Sequence, residues 1–151
     1  MAKAARGLLA ILALLLLPGI SRAGGGRFDG VWVTTVSCEP IRDALGFSYR
    51  FPSEVKGSSF HGLHGTEGKP GFLLVEGKIA DDGSAKLSAT GIVASRQYAR
   101  GVLAHKGEDY GYNIKAKFQD TEGTGTRDTG LGVVGRPCTF DFVKQQAQQA
   151  Q

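Results

Sequence analysis

"GVWVTTVSC", residues 30–38, decides the fold. Successive side chains of a strand point to opposite faces. Trp32, Thr34, Val36 and Cys38 therefore share one face. The stretch holds the chain's single tryptophan and the first of its two cysteines. A second stretch, "CTFDFVK" at 138–144, repeats the pattern near the other end. There Cys138, Phe140 and Phe142 oppose Thr139 and Asp141. Cys38 ends its strand and Cys138 begins the other. If the intervening strands run up and down and close on themselves, the first and last strands lie antiparallel and the two cysteines meet. A bridge needs Cα atoms within about 4.4–6.8 Å, which neighbouring strands provide. It would close a loop of about 100 residues, worth up to about 4.7 kcal/mol in the chain-entropy model. A sandwich would also bring the two ends together, so barrel closure is an expectation here.

Six further segments alternate in the same way between glycine- or aspartate-rich turns, the signature of an all-β sandwich or barrel. They are expected at about 46–55, 59–65, 72–80, 85–93, 109–119 and 123–130. The cleanest is "DYGYNIKAKFQ", in which Tyr110, Tyr112, Ile114, Ala116 and Phe118 oppose Asn113, Lys115, Lys117 and Gln119. "ADDGSA" carries Asp-Gly between alternating segments, a strong hairpin signal. Pro52 should end the regular pairing of the second strand or place it at an edge or bulge. In the fifth strand Leu87, Ala89 and Val93 form the apolar face. Residues 94–108 fit a long loop, one turn of helix or an irregular strand equally well. The fold class expected is all-β: a single eight-stranded antiparallel up-and-down barrel, closed by a disulfide between its first and last strands.

The first residues bound the compartment. Lys3 and Arg6 precede an unbroken apolar run, Leu8–Leu17, which Pro18 and Gly19 terminate before the small residues Ser21 and Ala23. This is the layout of a secretory signal peptide. The run is too short for a membrane span of about 20 residues. We expect a signal peptide at 1–23, a barrel domain at 24–144 and a polar, disordered tail at 145–151. The expected destination is the bacterial periplasm or the medium, where an oxidising environment favours the Cys38–Cys138 bridge. The chain has 18 basic and 14 acidic residues. Cleavage removes Lys3, Arg6 and Arg22, leaving 15 against 14. That balance gives no electrostatic case for nucleic acid, which asks for a clear basic excess. A membrane-spanning barrel would need an apolar outer band, whereas the outward faces carry Lys86, Lys115, Lys117, Asn113 and Asp141.

Catalytic and metal motifs are weak. "FHGLHGTE" offers His61, His64 and Glu67, but histidines three apart on a strand face opposite sides. "GTGTRDTG" lacks the following helix that a phosphate-binding loop uses. No Gly-x-Ser-x-Gly elbow is present. We therefore expect no enzyme activity, no metal and no cofactor. The aromatic residues carry the functional expectation. Tyrosine needs a partner or water for its hydroxyl. Tyr49, Tyr110 and Tyr112 are candidates to line a barrel mouth with Trp32, and Tyr98 to belong to a lid.

Gly30-Val31-Trp32, a Gly-x-Trp opening the first strand, together with a phenylalanine-rich last strand ending "FVK", resembles the calycin group: lipocalins, avidins and fatty-acid-binding proteins. The wider pattern of "YRFP", "GTEGKPG", "DGSA" and "RPC" before the last strand is similar to small exported bacterial modules of unassigned function, over residues 28–144. The calycin resemblance implies a small barrel with a ligand in its mouth. In lipocalins an arginine from near the chain end covers the tryptophan, a place for which Arg136 is the candidate. Avidin-type biotin pockets use several tryptophans, so biotin is not implied. The expected function is non-enzymatic binding of a small, partly apolar ligand at the open end. The alternative is a solid barrel that binds a protein partner through the loops 65–71, 94–108 and 129–136.

Overall fold

In a computed structural model the structure describes residues 26–99, 105–128 and 136–146. The expected signal peptide and most of the polar tail and of the loop at 129–136 lie outside the described residues. The eight strands are β1 (Gly30–Cys38), β2 (Phe47–Lys56), β3 (Ser59–His64), β4 (Leu73–Ile79), β5 (Ser84–Ile92), β6 (Asp109–Phe118), β7 (Glu122–Asp128) and β8 (Cys138–Lys144). Each pairs antiparallel with the next, and β8 returns to β1, so the sheet is a closed up-and-down barrel. Cys38 stands directly opposite Cys138 in the β1–β8 register. The two are disulfide-bonded, with Cα atoms 4.1 Å apart.

The connections divide the barrel into two unlike ends. At one end β2–β3, β4–β5 and β6–β7 are joined by two, four and three residues. At the other, β1–β2, β3–β4, β5–β6 and β7–β8 are joined by eight, eight, sixteen and nine. The short turns follow from their chemistry. Asp82 accepts hydrogen bonds from the Ser84 N–H (2.8 Å) and hydroxyl (2.6 Å). Gly83 has φ +85°, and a Cβ there would stand 2.1 Å from the Phe118 carbonyl oxygen. Only glycine takes that conformation and that approach at little cost.

The short-turn end is filled. Trp32 is fully buried and donates from Nε1 to the Phe28 carbonyl at 2.9 Å. Phe118 meets the rings of Phe28, Trp32, Phe60 and Phe142 at centroid distances of 6.3, 5.5, 5.8 and 4.7 Å. Phe28 precedes β1 and plugs the barrel from below. The cation over Trp32 is Lys144, with Nζ 5.8 Å from the ring. Arg136, the sequence candidate for that place, stands at the opposite end of β8. Higher in the core Thr34 and Ser53, both buried, share a hydroxyl hydrogen bond of 2.6 Å.

Pro52 takes the edge position expected of it: it pairs opposite Val33 of β1, but the β2–β3 ladder begins only at Ser53↔Gly62, so the proline sits where β2 pairs on one side. Its missing N–H thus costs no ladder bond to β3. β5 stops at Ile92, so Gly91 continues the inward face of Ala85, Leu87 and Ala89, and Val93 belongs to the following loop. Residues 94–108 contain one 3₁₀ turn, Arg96–Tyr98, among their described part. Gln145, assigned to the tail, donates its N–H to the Val31 carbonyl at 2.8 Å. No helix among the described residues is long and apolar enough to cross a membrane.

Candidate functional site

The strand period sets what faces inward at the long-loop end. β2 contributes Phe47 and Tyr49, β3 His64, β6 Tyr110 and Tyr112, and β7 Arg127. The inward face of β7 is otherwise Gly123 and Gly125, which are buried and carry no side chain. The six side chains, with the Cys38–Cys138 bridge and the loop residues Val93–Ser95, Tyr98 and Ala99, line a cavity of about 530 Å3. That lies within the range of pockets that hold small-molecule ligands.

Ring contacts order the walls. Phe47 and Tyr49 stack at 5.6 Å with 13° between planes, and Tyr49 stacks on His64 at 4.2 Å. Tyr110 and Tyr112 stack at 6.1 Å with 4° between planes. Gly91 makes room for this second pair, because a Cβ there would lie 2.5 Å from the Tyr110 hydroxyl oxygen. Burial pushes the hydroxyls of Tyr49, Tyr110 and Tyr112 above their ordinary pKa. Their proximity adds to the rise at Tyr49 and Tyr112, while Arg127 opposes it at Tyr110 and Tyr112. All three stay neutral O–H donors at physiological pH.

Two guanidiniums enter this space by different means. Arg127 lies over the Tyr112 ring at 4.3 Å. Arg136, only 4% exposed, lies over the Phe47 ring at 4.8 Å. Arg136 also ties the rim together. It donates to the carbonyls of Glu39 (3.0 and 2.8 Å), Tyr98 (2.8 Å) and Leu45. Leu45 N–H donates to the Gln97 carbonyl at 2.8 Å, and Tyr98 meets Phe47 edge-on at 5.9 Å. The loop after β5 is thereby fastened over the mouth. Desolvation, then the neighbouring Arg127, lowers the Arg136 pKa from its ordinary value.

Of the five aromatic residues singled out from the sequence, Tyr49, Tyr98, Tyr110 and Tyr112 lie around this cavity, and the paired Cys38 and Cys138 form part of its wall. Trp32 is not among the lining residues and sits in the filled end. Phe47, His64, Arg127 and Arg136 were not singled out as binding residues. For Arg127 the signal was present: Gly123, Gly125 and Arg127 alternate along one strand face. His61 and His64 do separate, the first exposed and outward, the second turned in against Tyr49. Comparison with protein-family models, with curated proteins and with solved structures finds no match to this chain.

Proposed function

We propose that this protein is an exported, non-enzymatic binding protein that holds a small, partly apolar ligand in the long-loop mouth of its barrel. The observation that carries the reading is the aromatic cavity of about 530 Å3, with three neutral tyrosine hydroxyls beside it. Ring faces supply apolar contact area, and the hydroxyls supply orientation. The calycin resemblance, in which ligands occupy the barrel mouth, supports the same reading. Export rests on the N-terminal sequence pattern, and a disulfide is compatible with it.

The test is native mass spectrometry of the protein purified from its own host. A small molecule released on denaturation is the expected result, and Tyr112→Ala should reduce its occupancy. A clean apo mass, with no binding of added amphipathic compounds by calorimetry, would overturn the reading. Trp32 lies outside the cavity lining, so its emission should stay unchanged on binding.

A second reading, a protein partner held by the mouth loops, has one observation in its favour. Leu45 is 55% exposed and Tyr98 36% exposed on the fastened rim. Leu45→Asp would weaken such a partner and leave a small-molecule ligand in place.

A further inference from the structure

Resting on the mouth-binding reading, we infer that the ligand is a planar, conjugated anion, seated between two aromatic walls with its negative charge toward Arg127. Planarity follows from the topology. β2 and β6 are four strands apart in both directions around the closed barrel, so they form opposite walls. Each presents a pair of parallel rings at the mouth, Phe47 with Tyr49 and Tyr110 with Tyr112. Both walls line the same cavity. Aromatic rings on opposing walls favour a flat conjugated ligand over a flexible chain, because edge-to-face and offset contacts with an aromatic ligand add to area burial.

The charge follows from the strand pattern. Among the described strand residues that face inward around the cavity, Arg127 is the one charged side chain. The described ion pairs join Arg27 to Asp120, Lys115 to Asp128 and Lys117 to Asp82, and none involves Arg127. Two acids, Glu108 and Asp109, also line the cavity, but from exposed positions on the rim, and Glu108 accepts from the His105 N–H at 2.9 Å. The second guanidinium, Arg136, spends its hydrogen bonds on rim carbonyls and adds positive charge without offering the same fork. An inward cation beside hydroxyl donors is the arrangement that receives a carboxylate or sulfonate.

The experiment is calorimetric titration of the full exported protein with 2-naphthoate, its neutral counterpart 2-naphthamide, and the saturated anion decanoate. Naphthoate should bind at least about tenfold more tightly than either of the others. Arg127→Gln should erase the naphthoate–naphthamide difference, whereas the outward Lys86→Gln should leave it intact. Equal binding of naphthamide would overturn the anionic assignment, and equal or tighter binding of decanoate would overturn the planar one. In both cases the mouth still binds, and the function proposed above survives. If none of the three binds while native mass spectrometry finds another ligand, this inference alone fails. If neither experiment finds a ligand, both fail.

Discussion

At the short-turn end of the barrel Phe118 gathers three other phenylalanines and Trp32 around it; at the long-loop end the rings belong mainly to tyrosine. The difference teaches what each end is for. Phenylalanine gains only by leaving water, so Phe28, Phe60, Phe118 and Phe142 close on one another and Phe118 on Trp32, whose N–H is satisfied by the Phe28 carbonyl. Tyrosine is stable where its ring is covered and its hydroxyl is wet. Tyr49, Tyr110 and Tyr112 therefore stack without filling the space between their walls. One end stores stability, and the other keeps a cavity.

Truncation should separate the ends most clearly. Phe118→Ala removes the ring at the centre of the filled end and should cost about 3–5 kcal/mol, read as a shift in urea unfolding. Tyr112→Ala opens a wall that already faces a cavity, and should cost no more than about 1–2 kcal/mol while weakening ligand. Equal losses would break the comparison, because both ends would then be core.

The Cys38–Cys138 bridge tests whether the mouth depends on the seam. Replacing both cysteines by alanine should cost about 2–5 kcal/mol in unfolding measurements. Under native conditions the early effect should be weaker ligand binding with unchanged Trp32 emission, since the bridge lies in the mouth wall and the tryptophan at the far end. A change in emission before binding is lost would mean that the two ends are not separable.

Between the ends lies the buried Thr34–Ser53 hydroxyl pair. Thr34→Val alone strands the Ser53 hydroxyl and should cost about 1–3 kcal/mol. The double variant Thr34→Val, Ser53→Ala leaves neither partner stranded and should recover most of that loss in the same urea assay. Failure to recover would mean that the pair orders the core between the two ends.

The sequence carried the barrel because alternation and turn chemistry are local signals. The inward sets on β1, β6 and β8 were legible residue by residue, and the two cysteines supplied the one long-range distance. Which end each aromatic occupies was harder to see. Trp32 and Tyr49 have the same strand parity, and only strand direction and loop lengths put them at opposite ends. Pro52 was legible as a pairing defect, yet its partner on β1 depends on register, which local pattern does not specify. Arg136 was marked only through the lipocalin resemblance, as the arginine to cover Trp32, and it lies over Phe47 instead. Its role in tying three rim segments depends on backbone carbonyls, and backbone groups leave no mark in a sequence. The fastening of the loop after β5 was hidden for the same reason.

The smallest effects are the most selective, because the two ends should respond to opposite changes of pH. At the short-turn end Asp82 is held at about 2 by the Ser84 hydroxyl and N–H groups. Asp29 is held below its ordinary value, chiefly by the Gly57 N–H. Both are more acidic when folded than when unfolded. Their contribution is therefore present above about pH 4 and is lost as the pH falls through about 4 to 2. At the mouth Tyr49, Tyr110 and Tyr112 are raised by burial. Their contribution is present below about pH 10 and is lost as the pH climbs beyond it. The urea midpoint should thus fall on both sides, with tyrosinate absorbance accompanying the alkaline arm alone. Asp29→Asn with Asp82→Asn should flatten the acid arm, and Tyr49→Phe, Tyr110→Phe and Tyr112→Phe together the alkaline one. An alkaline arm that survives the tyrosine replacements would place its cause outside the mouth, and the neutral hydroxyls could no longer be counted as what holds that end in shape.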